Sequence, residues 1–280
     1  MSLEVMAIVL FAAALHATWN ALVRASADKF HDTVLIVLGA GVGAALLLPF
    51  VPVPAPASWP YLAASVVIHV AYFLLVAFAY RVGELSLVYP LMRGSPPAIT
   101  AVAGALLIDE SPAPGGWAGV FLISFGVLVL AGDFWRSGRF RAAPIAFALA
   151  TAAVIVVYTL VDGQGARLSG HAFSYTAWMF LLTAPLLLVT VAASQRGGML
   201  PRLCCRWRRG LLGGGCTLAS YGLALWAMTL APIALVAALR ETSVVFAALI
   251  AAVFLREPIT RIRAVSIVLV FLGAVAIKTS

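Results

Sequence analysis

The sequence predicts an all-α membrane protein in which ten transmembrane helices form two inverted five-helix repeats. Three observations predict it. The 280-residue chain is 64% hydrophobic and 10% charged, with a mean hydropathy of +1.08, whereas soluble domains carry about 25% charged residues. Apolar runs of about 20 residues, the length that crosses a hydrocarbon core of about 30 Å, follow one another from end to end with almost nothing left for an extramembrane domain. Landmark residues also recur at a fixed offset of 147 positions: Arg93 and Arg240, Glu110 and Glu257, Gly126 and Gly273.

The ten apolar runs are residues 3–23, 33–51, 61–82, 85–108, 115–132, 143–162, 173–193, 210–230, 232–255 and 263–278, here spans 1 to 10. Span 1 has Glu4 before it and Arg24 after it. It lacks the basic leader of a cleaved signal peptide and is expected to remain in the membrane. The net charge of +8 does not point to nucleic acid, because the basic residues sit at span ends on alternate connections. Arg24, Lys29, Arg81, Arg136, Arg139, Arg141, Arg196, Arg202, Arg206, Arg208, Arg209, Arg256, Arg261 and Arg263 all flank odd-numbered connections, and the other side carries Arg167 and Lys278. The positive-inside rule then makes the odd connections cytoplasmic and both termini external. Cys204 and Cys205 are adjacent in the basic loop and Cys216 lies in span 8. Neither a disulfide nor a metal-ligand spacing is expected, and no cofactor.

The halves meet near residues 136–141, giving a first repeat over 1–137 and a second over 138–280. Five spans is an odd number, so a second copy must enter the membrane upside down. Aligned without gaps at the 147 offset, 85–130 and 232–277 share Arg93/Arg240, Ala101/Ala248, Ala105/Ala252, Glu110/Glu257 and Gly126/Gly273.

An arginine at the centre of a membrane helix costs roughly 2.5–3.5 kcal/mol on insertion scales, so a matched pair implies a task. Each lies about eight residues into its span, or ~12 Å at 1.5 Å per residue. Spans 4 and 9 run in opposite directions, so both residues fall near the midplane. Guanidinium forks suit carboxylate, phosphate, phosphonate or sulfonate groups. In the run Tyr89-Pro90-Leu91-Met92-Arg93-Gly94-Ser95-Pro96-Pro97 the two final prolines cannot donate to the carbonyls of Met92 and Arg93. A helix break is therefore expected at Gly94, Pro96 and Pro97, either as a packing kink or as irregular backbone lining a cavity. Tyr89 lies on the face of Arg93.

Glu241 is read as the one acid deep in a span. Two roles are open to it: a structural ion pair with Arg93 or Arg240, or a functional carboxylate that receives a substrate ammonium or a coupling proton. Arg93, Arg240 and Glu241 together carry +1, which favours an anion or zwitterion. His16, Trp19 and Asn20 share one face of span 1, and His69, Tyr72 and Phe73 repeat that spacing on span 3. These side chains either line a cavity or join helices. Tyr158, Trp178, Tyr221 and Trp226 are further candidates, while Asp162 and Asp133 are expected to be solvated near helix ends.

These residues resemble the drug/metabolite transporter superfamily, and within it the ten-helix EamA-type proteins. The resemblance rests on the two five-span halves and on GALLIDE (104–110) and AVFLREP (252–258). It rests also on the Gly-containing helices GVFLISFGVLVL and SIVLVFLGAVAI, and on HATWNALVRAS (16–26). It implies a central cavity lined mainly by spans 1, 3, 4, 6, 8 and 9, with rocking halves giving alternating access, in a multi-pass protein of a bacterial inner (cytoplasmic) membrane. Relatives are usually described with cytoplasmic termini, the reverse of the charge bias here. The expected function is that of a secondary carrier, not an enzyme, for a small anionic or zwitterionic metabolite such as an amino acid or organic acid. Its binding residues would be Arg93, Arg240, Glu241, Tyr89, His16, Trp19, Asn20, His69 and Tyr72. Its partners would be the lipid bilayer and a small-molecule substrate, with a coupling proton as an open addition. A lipid-linked flippase is the alternative, and an intramembrane enzyme would need a nucleophile–base set or metal ligands that His16, His69 and Glu241 do not make.

Overall fold

Inside a bilayer every backbone N–H and C=O must find its partner within the protein, and a chain without a closed barrel meets that demand with helices. The computed structural model describes residues 1–26, 28–82, 85–132, 142–194, 206–254 and 260–280. Its helices are α1 (Leu3–Arg24), α2 (Lys29–Leu47), α3 (Trp59–Val82), α4 (Leu85–Gly94), α5 (Pro96–Leu107), α6 (Pro114–Leu128), α7 (Ala142–Leu168), α8 (Ala172–Ser194), α9 (Trp207–Leu230), α10 (Ile233–Arg240), α11 (Ser243–Phe254) and α12 (Arg261–Thr279). Among the described residues nine stretches are long and apolar enough to cross a membrane, with α10–α11 counted as one. The pair α4–α5 supplies the remaining apolar segment, so this is an all-α membrane fold. Asp133, Arg136, Arg139, Arg141, Arg196, Arg202, Cys204, Cys205, Arg256 and Glu257 lie outside the described residues.

Helix starts are capped by short polar side chains, which satisfy N–H groups that have no partner within the helix. Ser2 Oγ accepts from Val5 N at 3.2 Å, Asp28 Oδ1 from His31 N at 3.2 Å, and Thr260 Oγ1 from Arg263 N at 3.3 Å. The start of α10 is capped from elsewhere in the chain: Ile233 N donates to Glu110 Oε1 at 3.1 Å.

Packing runs across the midpoint of the chain. Helix α1 lies on α9, α10 and α11, and α7 lies on α3, α4 and α5. The pairs α2–α8 and α6–α12 each join corresponding spans. Exchanging each span with the one five places along maps these contacts onto one another, a pattern consistent with two related halves.

Apolar burial does not drive association in lipid, so close backbone approach must. A Cβ built on Gly39 would stand 2.0 Å from the carbonyl oxygen of Gly210, and one on Gly214 would stand 2.3 Å from Ala40 N. The α2–α9 seam is therefore backbone against backbone. Gly273, one of the landmark glycines, faces Gly119 across α6–α12, and its counterpart Gly126 faces Leu269 and Val270. Large apolar side chains such as Leu46, Val67, Leu106 and Phe271 are exposed on the outside, where lipid would cover them.

Candidate functional site

The sequence leads one to expect a break in span 4, and it is there: α4 ends at Gly94, Ser95 stands between, and α5 begins at Pro96. Span 9 is broken at the corresponding place without any proline. α10 ends at Arg240, and Glu241 and Thr242 form turns before α11. There Glu241 N donates to Ala238 O at 2.9 Å and Thr242 N to Leu239 O at 3.1 Å, tightened spacings that end the helix. The hydroxyls at the two breaks occupy matched positions and turn back on their own helices. Ser95 Oγ donates to Leu91 O at 2.8 Å, and Thr242 Oγ1 to Leu239 O at 2.6 Å. Each landmark arginine thus sits in the last turn of a half-helix, where free carbonyls and the helix dipole favour a cation.

From these equivalent stations the two arginines part. Arg93 is 3% exposed and is held by Glu241, itself 5% exposed. Arg93 Nε donates to Glu241 Oε2 at 3.0 Å, and Nη2 lies 2.8 Å from Oε1. This pair ties α4 to α10 and neutralises both charges. The position matching Glu241 in the first half is Gly94, so the second half alone supplies the acid. Arg240 is 6% exposed, and its Nε has no hydrogen-bond partner among the described residues. Its Cζ lies 5.1 Å from the centroid of the Tyr221 ring, a cation–π contact. The expected grip of two guanidiniums on one anion is therefore replaced by one neutralised arginine and one open one.

Arg240 forms part of the wall of a cavity of about 520 Å³, counted to its open mouth. His16 and Trp19 from α1, His69, Tyr72 and Phe73 from α3, and Tyr158 from α7 line it with Tyr221 from α9. Residues of α2 and α8 contribute as well, including Thr33 and Phe180, whereas α4 and α5 do not. The lining thus differs from the expected set of spans by adding spans 2 and 7 and dropping span 4. Arg240 is the charged side chain of the lining and pairs with no carboxylate among the described residues, and Trp19 Nε1 donates to His16 Nδ1 at 3.3 Å beside it. Asn20 turns its amide to His16 O at 2.8 Å. Tyr89 packs toward Val127, Val244 and Val270, and Trp178 lies against Trp59. None of these three lines the cavity, nor does Trp226.

Asp162 requires a correction. It is fully buried, not solvated, because α7 continues six residues beyond it to Leu168. Nothing in Gly163-Gln164-Gly165-Ala166-Arg167 stops a helix, and the small residues let neighbours close in, with Tyr175 packed on Gly165 and Ile233 on Gly163. Tyr175 OH donates to Asp162 Oδ1 at 3.0 Å, Tyr221 OH donates to Oδ2, and His69 Nε2 stands 3.8 Å from Oδ2. Glu241 is therefore not the only deep acid. With Asp162 counted, two arginines face two carboxylates and the +1 surplus disappears. What favours an anion is instead the placement of these charges, since Arg240 alone of the four meets the cavity.

Two further ion-pair clusters bracket the molecule. Arg167 grips Glu110 through both terminal nitrogens, at 2.9 and 3.2 Å, and donates to Met228 O and Ala231 O. It thereby joins the end of α7, the loop after α5, the end of α9 and the start of α10. At the basic side Asp32 meets Arg206 at 2.7 Å and Arg209 at 3.5 Å, joining α2 to the start of α9. Glu110, singled out by its recurrence, is thus a latch and a helix cap. Cys216 is free and half-buried. Among the described residues no cluster of His, Cys, Asp and Glu is placed to hold a metal ion.

Comparison with known proteins follows the same lines. A crystal structure described only as that of a protein superposes with a TM-score of 0.75 over 98% of each chain at 19% identity, a likeness of fold. Curated proteins give no match. Residues 143–279 match the EamA-like transporter family. With apolar helices throughout, the chain is a multi-span membrane protein, and its second half matches the EamA-like transporters of the drug/metabolite transporter superfamily.

Proposed function

We propose that the protein is a secondary carrier that moves a small anionic or zwitterionic metabolite, such as an amino acid or organic acid, across a bacterial inner membrane. In this reading residues 1–137 and 138–280 are inverted repeats that alternate access to the cavity. The reciprocal packing of α1 and α7 and the paired helix breaks support the repeat.

The observation that carries the substrate class is Arg240. It is a buried guanidinium on a cavity wall, with an unsatisfied Nε, no carboxylate partner among the described residues, and aromatic rings around it. A substrate carboxylate would complete its hydrogen bonds, and the rings would cover the apolar remainder. Arg93 and Glu241 serve this site as the neutral brace that holds α4 against α10.

The test is a melting-temperature screen of the purified protein against amino acids, organic acids, phosphonates and uncharged amides of matched shape. A ligand that binds only the folded state raises its melting temperature by mass action. Anions should stabilise the wild type and amides should not, and Arg240→Gln should remove the effect. Equal stabilisation of Arg240→Gln by the same anions refutes the assignment.

A further inference from the structure

Next to the Arg240 site, and touching it through one side chain, lies a second polar cluster whose hydrogen bonds leave room for one proton. His69 Nδ1 lies 3.0 Å from the backbone oxygen of Ser65. Ser65 Oγ, 3.2 Å from Nδ1, can donate to it or accept from it, whereas the carbonyl oxygen can only accept; with Nδ1 donating to that carbonyl, the ring is assigned its hydrogen there. The other ring nitrogen, Nε2, then points at Asp162 Oδ2 from 3.8 Å with nothing to donate unless the ring takes up a second proton. Both oxygens of Asp162 already accept from tyrosine hydroxyls, Tyr175 on Oδ1 and Tyr221 on Oδ2. The place for the added proton is therefore His69 Nε2, with Asp162 as its fixed counter-ion.

We propose that His69 and Asp162 form the coupling-proton site of this carrier, and that one proton bound there travels with one substrate anion bound at Arg240. This deepens the carrier reading and rests on it. His69 is part of the cavity wall, so a proton reaches Nε2 from the same space as the substrate. When the ring takes the proton, a small closure from 3.8 Å makes Nε2–H a donor to Oδ2, and on release the proton returns to the cavity. The charges balance, since one positive and one negative charge enter together.

Coupling follows from position. Tyr221 lies under the Arg240 guanidinium with its ring and holds Asp162 with its hydroxyl. The imidazolium of His69 adds positive charge to a wall that already presents Arg240, so proton and anion favour each other, and the effect is reciprocal. The titratable and charged groups around the pair are Tyr72 on α3, Tyr158 on α7, Tyr175 on α8 and Tyr221 on α9, with Arg240 on α10 and Glu241 in the turn after it beyond them. Arg93 of α4 and His16 of α1 complete the surroundings. Glu241, the other candidate for a coupling acid, is occupied by Arg93.

The probe is benzenesulfonate, an anion throughout the range in which imidazole and carboxyl groups titrate, so any pH dependence of its binding belongs to the protein. Calorimetry of the full chain in detergent, in two buffers of different ionisation heat, reads affinity and proton uptake together. Wild type should take up a net fraction of a proton per sulfonate at intermediate pH and bind about 5- to 150-fold more tightly at low than at high pH. His69→Gln and Asp162→Asn should bind without proton uptake and with a flat pH profile. Proton uptake that persists in His69→Gln overturns the assignment. Independently of any variant or ligand, nitrogen NMR of the His69 ring in wild type should show Nδ1–H at high pH and both nitrogens protonated at low pH. A ring that stays neutral throughout also overturns it. Absence of sulfonate binding to wild type would count against the Arg240 reading instead, leaving the proton site to the NMR titration.

Discussion

Replacing Glu241 with Gln leaves the Arg93 guanidinium buried beside a neutral amide. Arg93 and Glu241 are 3% and 5% exposed and meet through two contacts of 3.0 and 2.8 Å, so almost nothing of the lost interaction is recovered from solvent. Removing one partner of such a pair costs about 3–5 kcal/mol. At ~2 °C per kcal/mol for a chain of this length, the melting temperature should fall by roughly 6–10 °C. Arg93→Met should fall by a similar amount. The double variant Arg93→Met/Glu241→Met removes both charges and should recover most of the loss, because a well-packed apolar pair is often as good as a buried ionic one. The pair is neutral as a unit, so its removal leaves the charge beside Arg240 unchanged, and the double variant should still be stabilised by the anions that stabilise wild type. The assay is thermal unfolding in mild detergent with and without ligand. A melting temperature for Glu241→Gln within about 1 °C of wild type, or a double variant as unstable as the singles, refutes a bracing ion pair. A stable double variant that no longer responds to any ligand places the pair in the binding site instead.

Other consequences are open to measurement. Gly39→Val drives a side chain into the Gly210 carbonyl, 2.0 Å from the added Cβ, and should cost at least the ~1–3 kcal/mol typical of overpacking, read as lost melting temperature or lost monodisperse yield. Glu110→Gln weakens the grip on Arg167, whose side chain is partly exposed, and should cost less than ~2 kcal/mol. Because a Gln oxygen can still accept from the Ile233 amide that Glu110 caps, the cap is read with Glu110→Ala, in which hydrogen exchange at that amide should quicken; unchanged protection there would rule out the cap. The loop charges put the C-terminus outside, so a C-terminal reporter that fluoresces only in the cytoplasm should stay dark, and a bright signal reverses the topology.

Much of this fold is legible from hydropathy because a membrane span has to be long, apolar and continuous. The span positions, the placement of Arg93 and Arg240 near mid-span and the Pro96–Pro97 break all follow from local rules. Three things do not. The choice of Arg93 by Glu241 depends on how α4 meets α10, and no spacing within one helix encodes that. The break at Glu241–Thr242 has no proline to announce it, although the 147 offset from Gly94–Ser95 would have revealed it had the break itself been carried across. Asp162 is hidden by the hydropathy rule, which ends a span at a charge. The chain instead continues the helix and gives the carboxylate two tyrosine hydroxyls. A polar residue at the edge of an apolar run, followed by small residues and no proline, is the signal that marks such a site.

The glycine seam between α2 and α9 limits what can move. Where two main chains touch with no side chains between them, there is no pliant layer to shear, and neither rod can roll on the other without collision. The two must travel as one rigid plank, with the cavity wall they carry. Any opening toward the opposite compartment has to be taken up where rigidity is lowest, at the interrupted stretches around Ser95 and Thr242. In the carrier proposed above, Arg240 thus stands next to the joint that releases its cargo.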